Sequence, residues 1–407
     1  MPPKQRIMKI AFFVRSFPKV SETFILSQIG GLLDAGHDVT IFATDDPEEE
    51  TVHNKVNEFD MLERCIYTDP PNSYFGGAIC AARCLLKRLS AYKAVSHAVR
   101  SDRPDLAIAN LEAYIDHDLG SFDAYHAHFG PVGKSWSFIS QLSRKANNDA
   151  PFIVSYYGYD ASTVLEADPD FYVDLFDAVD RITVLSDDMK EKLVSVGGDP
   201  EKITYNPLGI DTEFFEFRER TPETPVEILI VSRLVEKKGI VHAVDAVAQL
   251  SETVDVSVTI VGDGPERQAI ESRIREHAIE DSFSLVGVKS LSEVRDILHE
   301  SHIFLLPCIT DSNGETSPTP TILLQAQATG IPIVSTYHSG IPRIVDDSKS
   351  ALLVPERDVD ALAEAIETLA TDPESWSEMG RAGRDYVKQQ YSIPALIDRL
   401  ETIYETA

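Results

Sequence analysis

The chain has 407 residues, 43% of them hydrophobic, and carries 66 acidic against 37 basic side chains for a formal net charge of −29. That length exceeds one ordinary core and predicts two domains, while that charge excludes nonspecific nucleic-acid binding, because the overall field repels a phosphate backbone. No apolar run reaches membrane-spanning length, and MPPKQRIMKIAFFV lacks an apolar core followed by a small-residue cleavage site, so a cytoplasmic protein is expected.

Cys65, Cys80, Cys84 and Cys308 form no C-x-x-C pair, which predicts reduced thiols without a disulfide framework or zinc site. The acidic residues are spread through both halves and read as a solvated surface, either plain acidity or adaptation to a salty cytoplasm.

In chain order, Ile7 to Val14 is a strand-like apolar run. It leads through RSFPKVS into an amphipathic helix from Glu22 to Ala35, with Ser21 as N-cap and Gly36 as the stop, and then into the strand DVTIFAT, which makes a βαβ unit. DLAIA, DAYHAHF, PFIVSYY and RITVLS are further strand candidates. From Pro70 to Ser101 there is no acidic residue, while Arg83, Lys87, Arg88, Lys93 and Arg100 interleave with Ile79, Leu85, Leu86, Leu89 and Tyr92. That pattern fits either a peripheral membrane contact through residues 79–100 or a helix with its apolar face in the core and a solvated basic face.

In DAYHAHFGPVG, His126 and His128 fall on the same side of a strand, followed by glycines that let a ligand approach the backbone. His126 is read as a buried structural histidine.

After FEFRERTPETP, a connector from Phe215 to Pro225, the strand and helix alternation restarts: EILIVS, Gly239 to Leu250, VSVTIVG, Arg267 to His277, FSLVG, Ser292 to Glu300, HIFLLP and IPIVST. Strands alternating with helices imply a second parallel sheet covered on both faces, and open α/β sheets bind ligands beyond the carboxyl ends of their strands. The fold class is therefore α/β, two Rossmann-like domains facing a central cleft.

IVSRLVEKKG places Arg233, Lys237 and Lys238 in the turn after a buried strand, ahead of a helix N-terminus, an arrangement suited to a diphosphate. IVGDGPER lacks the third glycine of a dinucleotide fingerprint, because Arg267 stands in its place, and reads as a tight turn. Thr316 to Pro342 contains no Asp, Glu, Lys or Arg, and with its hydroxyls and prolines reads as an uncharged loop offering hydroxyls and backbone N–H groups to a ligand.

SFPKVSETFI, HAHFG, ITVLSDDMKEKL with NPLGID, VSRLVEKKG, IVGDGPE and LLQAQATGIPIVST with HSGIP, in that order, resemble the retaining family 4 glycosyltransferases of the GT-B fold. The resemblance covers nearly the whole chain. It implies sugar transfer from a nucleotide diphosphate sugar, without a cofactor or metal, to a glycan or lipid-linked acceptor, in an enzyme that assembles a surface polysaccharide or glycolipid at the inner face of the cell membrane. It places an acceptor-side domain at residues 1–214, rejoined by a last helix at about 392–407, and a donor domain at 215–391.

By the same resemblance the catalytic set is His128, Arg233 and Lys238. Donor contacts fall on Arg233, Lys238, Val286, Ser317, Thr319, Thr321 and Gln325, and acceptor or loop contacts on Ser21, Glu22, Tyr157 and Asp160. Relatives usually carry two glutamates where this chain has Ser317 and Gln325, often a histidine at Tyr157 and a glutamate at Arg343. Arg343 is expected at the surface. The missing carboxylates leave a second reading, a sugar-nucleotide-binding partner subunit with weak or no turnover. The missing glycine disfavours a third, an NAD-dependent oxidoreductase.

Overall fold

A computed structural model describes residues 6–19, 22–47, 54–71, 73–87, 92–99, 103–145, 148–250, 254–317 and 319–407. The chain divides into two compact units, Met1–Pro207 with Leu396–Ala407, and Leu208–Ala395.

Within the described residues the first unit holds a seven-stranded sheet. Its strands are β1 (Lys9–Ser16), β2 (Asp38–Asp45), β3 (Cys65–Tyr67), β4 (Ala124–His128), β5 (Phe152–Ser155), β6 (Arg181–Val184) and β7 (Ile203–Tyr205), in the order β3-β2-β1-β4-β5-β6-β7. Every pairing is parallel. The second unit has six strands: β8 (Val226–Val231), β9 (Val256–Val261), β10 (Phe283–Gly287), β11 (Ile303–Leu306), β12 (Ile333–Thr336) and β13 (Ala351–Val354). They are also all parallel, in the order β10-β9-β8-β11-β12-β13. Helices cover both faces of such sheets, so the central strands are continuous apolar runs: Ile10 to Val14 and Ile303 to Leu306 are buried without interruption. Each such side chain contributes about 1.5–3 kcal/mol on burial.

Strand order reverses between β1 and β4 in one sheet and between β8 and β11 in the other. Loops on either side of such a switch point diverge and leave a crevice at the carboxyl ends of the strands. His128 ends β4, and Arg233 follows β8 by two residues.

Three sequence expectations are corrected. DLAIA is no strand but part of the helix Pro104–Asp116, with proline in its first turn. A short apolar run buried all round carries no periodicity that separates strand from helix. The boundary before the second unit falls earlier than expected. Phe215–Pro225 packs into that unit, as the range 215–391 has it: Phe215 is buried, and the buried Arg220 donates to Leu298 O at 2.9 Å and Thr329 Oγ1 at 3.0 Å. Residues 208–214 go with it, since Ile210 N–H donates to Tyr391 O at 2.7 Å. The third concerns the first helix, Thr23–Asp34: its N-cap position is Glu22, without a side-chain cap, and Ser21 lies outside the described residues.

The last helix, Ile393–Thr406, packs on the first sheet. Met8 N–H donates to His37 Nδ1 at 3.1 Å, which leaves Nε2–H to donate to Glu401 Oε1 at 2.6 Å. Arg343 is exposed, in agreement with the sequence reading. The four cysteines are free.

Candidate active site

The second unit opens a pocket of about 550 Å3 at the carboxyl end of β8. Among its described lining residues are Arg233, Lys237, Lys238 and Lys289 and no carboxylate, in a chain of net charge −29. Ser317, Thr319, Thr321 and Gln325 line it too, so six of the seven donor candidates meet there. Val286 does not: β10 is an edge strand, irregular between Leu285 and Gly287, and Val286 faces outward, 40% exposed. Lys289 and Leu291, a few residues on, line the pocket instead.

The backbone that presents these cations is tightly constrained. Ser232 N–H donates to Val261 O and Leu234 N–H to Asp263 O, both at 3.0 Å, so the turn after β9 lies flat against the Arg233 loop. A Cβ at Gly262, where φ is +133°, would fall 1.8 Å from Ser232 O. The IVGDGPER glycines thus shape the cation loop, a role beyond the tight turn read from sequence. Burial pushes the Lys238 ammonium pKa down, the nearby Cys308 acts against this, and Lys237 and Arg233 add to the lowering. Ser232 Oγ and Ser317 Oγ are buried without a hydrogen-bond partner. Unsatisfied buried hydroxyls facing clustered cations are what a polar anionic ligand would complete.

The loop that carries Ser317 is held by a network the sequence reading missed. Ser317 N–H donates to His338 Nε2 at 2.9 Å, which assigns the other proton to Nδ1, a donor to Glu356 Oε1 at 2.6 Å. Glu356 Oε2 accepts from Thr310 N–H at 2.8 Å. Burial acts to raise the Glu356 pKa, but the Thr310 and His338 hydrogen bonds hold it below the usual range. HSGIP is the signal that pointed there. Glu315, two residues before Ser317, binds Lys237 at 2.9 Å.

In the first unit, the rings of His126 and His128 stack 4.4 Å apart, both fully buried. His126 is satisfied at both nitrogens, by Tyr404 OH at 2.8 Å and Ser155 Oγ at 2.7 Å, which agrees with a structural role. His128 Nδ1 meets Tyr157 OH at 2.7 Å, while its Nε2 is enclosed and has no partner. Burial, then the neighbouring His126, keeps the His128 pKa well below its ordinary value, so the ring is neutral near pH 7.

Asp160 is an interior group here, and Tyr157 is half-buried. Asp160 has no exposed surface: Oδ1 accepts the Tyr157 and Gly158 N–H groups, both at 2.9 Å, and Oδ2 accepts Gly130 N–H at 3.0 Å. Asp160 therefore ties the loop after β5 to the loop after β4, and its burial presents no accessible oxygen to an acceptor. Tyr157 packs against Phe24, with ring centroids 4.5 Å apart. Glu22 is half-buried and bonded to Lys19 at 2.7 Å.

The basic stretch also differs from expectation. Arg83 pairs with Glu112 at 3.0 Å and Lys87 with Asp116 at 2.5 Å, so the helix Pro104–Asp116 neutralises both. Phe75, Ile79 and Leu86, at helical spacing on Tyr74–Lys87, face outward at 76%, 46% and 84% exposure. Arg88, Leu89 and Arg100 lie outside the described residues, as do the side chain of Lys93 and all of Pro318.

Two parallel-sheet α/β units in one chain define a GT-B architecture. Residues 21–209 match the family described as glycosyl transferase 4-like domain, and residues 211–386 match glycosyl transferases group 1. The glycosyltransferase WcaL of Salmonella typhimurium, which its name assigns to colanic acid biosynthesis, is 32% identical over 98% of this chain and all of its own length. The amylovoran biosynthesis glycosyltransferase AmsK of Erwinia amylovora is 29% identical over 98% of this chain and 99% of its own. Among solved structures, Anabaena Alr3699/HepE in complex with UDP and glucose superposes with a TM-score of 0.68 at 14% identity, covering 98% of this chain and all of that one. The chain belongs to the family 4 GT-B glycosyltransferases.

Proposed function

We propose that the chain is a retaining, metal-independent hexosyltransferase. It takes a sugar from a nucleotide diphosphate sugar held on the second unit and passes it to a glycan or lipid-linked acceptor held on the first, in the assembly of a surface polysaccharide. The observation that carries this reading is the cation-lined, carboxylate-free pocket with its two unsatisfied hydroxyls. Arg233 and the three lysines offset the charge of a leaving diphosphate, work a metal does elsewhere. Gln325 and the threonines offer neutral hydrogen bonds to ribose and sugar hydroxyls. His128 Nε2 is the group assigned to the donor sugar, as a neutral hydrogen-bonding partner. The names of WcaL and AmsK support the polysaccharide setting.

The test is the thermal unfolding midpoint with UDP, GDP, ADP or NAD, each with and without a chelator. A chelator-insensitive rise with one nucleoside diphosphate is expected, because a ligand that binds only the folded state raises apparent stability. No response from folded protein would sink the reading.

Ser317 and Gln325 favour one competing account, a subunit that binds sugar nucleotide without turnover. Such a protein would show the same thermal shift and transfer nothing to any acceptor.

A peripheral membrane contact through residues 79–100 is part of the proposal. With Arg83 and Lys87 already paired, its described support is the outward apolar stripe rather than free positive charge. Co-sedimentation with anionic vesicles should therefore survive added salt and fall about tenfold in Phe75→Glu with Leu86→Glu, since apolar insertion is unscreened. Binding unchanged in that variant would remove the contact.

A further inference from the structure

Between β11 and the helix Thr321–Thr329 the described chain has no regular secondary structure, so no ladder of backbone bonds sets the place of Thr316, Ser317 or Thr319, all of which line the cation pocket. One side chain, Glu356, holds the segment from Thr310 to Ser317 at both ends. Standing two residues beyond β13, it accepts Thr310 N–H at 2.8 Å with one oxygen and His338 Nδ1–H at 2.6 Å with the other. His338, two residues beyond β12, passes the tie on through Nε2, which accepts Ser317 N–H at 2.9 Å. The carboxyl ends of three adjacent strands, β11, β12 and β13, are thereby joined through an imidazole with no exposed surface.

The middle of the segment is fixed to the cation loop. Ser312 N–H and Oγ–H donate to the two oxygens of Glu236, at 3.0 and 2.6 Å, and Glu315 pairs with Lys237. Only one protonation pattern satisfies the ends. A backbone N–H can only donate, so Nε2 of His338 must be bare, Nδ1 must carry the proton, and the group facing Nδ1 must accept. The same group must also accept from Thr310 N–H. A carboxylate meets both demands, whereas an amide in its place accepts with its oxygen alone and turns its own N–H on one of the two donors.

Neither His338 nor Glu356 is among the pocket's described lining, so what they do for a ligand they do through Ser317, whose buried hydroxyl has no oxygen or nitrogen partner. We propose that Glu356 and His338 are positioning residues of the donor site, which hold Ser317 where its hydroxyl meets a hydroxyl of the hexose. This assignment rests on the transferase reading above. The Arg233 loop is tied to the turn after β9 by backbone bonds that involve neither residue, so it grips the diphosphate without them. The pair serves the sugar and not the nucleotide.

The probes are the UDP, GDP and ADP esters of glucose, galactose and mannose, with water as the acceptor, and hexose release is followed for the ester that the natural chain cleaves fastest. In His338→Leu and in Glu356→Gln the maximal rate should fall about tenfold to a hundredfold, the cost of a contact displaced by about 1 Å, with KM for the ester within about threefold, as when an interaction made only in the transition state is removed. His338→Gln, whose amide oxygen can accept Ser317 N–H, should recover most of the rate. The midpoint shift given by the matching nucleoside diphosphate should persist in all three variants, which shows them folded. Nitrogen NMR of protein with isotope-labelled histidine should show a ring protonated on Nδ1 that is absent from His338→Leu and altered in Glu356→Gln.

Maximal rates unchanged in His338→Leu and Glu356→Gln would overturn the assignment and leave the pair as a brace of the fold. An equal loss of nucleoside diphosphate affinity would overturn it too, because the pair would then hold the whole pocket, and a His338 ring protonated on Nε2 would contradict the chain of bonds itself. Cleavage of none of these esters by the folded natural chain would instead remove the transferase reading and with it the role in transfer, while the spectra still decide whether the tie to Ser317 exists.

Discussion

Lys238→Met should abolish the nucleotide-induced thermal shift while leaving the ligand-free protein as stable as before or slightly more so. The ammonium is half-buried, driven down in pKa by burial and by Lys237 and Arg233, so in the empty pocket it is an unfavourable charge. A diphosphate turns that into a charge-assisted hydrogen bond worth about 1.5–3 kcal/mol, roughly tenfold to a hundredfold in affinity. Arg233→Ala should lose affinity to a similar degree. It lies on the same loop but is exposed, and its fork can grip two phosphate oxygens.

His128→Ala should behave in the opposite way. It belongs to the other unit and is not among the cation pocket's described lining, so nucleoside diphosphate affinity should stay within about twofold while transfer falls by about a hundredfold or more, the usual loss for one preorganised polar contact to the reacting centre. Ligand titration beside initial rates separates the two effects. Equal losses of binding in all three variants, or transfer intact in His128→Ala, would remove the division of labour between the units.

The Arg233 loop is legible in the sequence because its chemistry and its backbone signal fall within ten consecutive residues: a buried strand, three cations and a glycine. The two sheets are legible for the same reason, since strands buried on both faces write themselves as uninterrupted apolar runs. Groups whose meaning depends on a partner far along the chain are not. Nothing local marks Glu356 as the anchor of His338, eighteen residues back, or Asp160 as the acceptor for Gly130 N–H, thirty residues back. Arg220 reads as a linker charge until Thr329 and Leu298 are seen to enclose it. DLAIA fails in the opposite way, because its local pattern is compatible with both strand and helix and only packing decides. Lys289 is not legible locally either, because it stands in the loop after an edge strand with no fully buried residue, and only the folded pocket brings it beside Arg233 and Lys238.

Folding stability should fall steeply between pH 7 and pH 5. His126 is fully buried and its pKa is pushed down to about 3 by burial alone, and His128 beside it is lowered well below its ordinary value. Both titrate near their ordinary value, about 6.5, in the unfolded chain. Below that pH the unfolded state binds protons the folded state refuses, so this stability is complete above about pH 6.5 and is lost as pH falls toward the folded values. His126 removes roughly 1.4 kcal/mol per pH unit in that window, or about 2 kcal/mol at pH 5, and His128 adds in the same sense, against a total of about 5–15 kcal/mol for a typical domain. His242, His299 and His302, also lowered by burial, add in the same sense, whereas Asp160, raised by burial, acts in the opposite one.

A difference measurement isolates the pair. His126→Gln keeps a side chain able to hydrogen-bond Tyr404 or Ser155 but removes the titration. Denaturant unfolding of the first unit at several pH values should show the slope of stability against pH reduced by roughly 1.4 kcal/mol per unit below pH 6.5, whatever the variant's stability at pH 7. An unchanged slope would mean that His126 takes up its proton in the folded state as readily as in water, and the buried stack with Tyr404 and Ser155 would then not be the interior network described here.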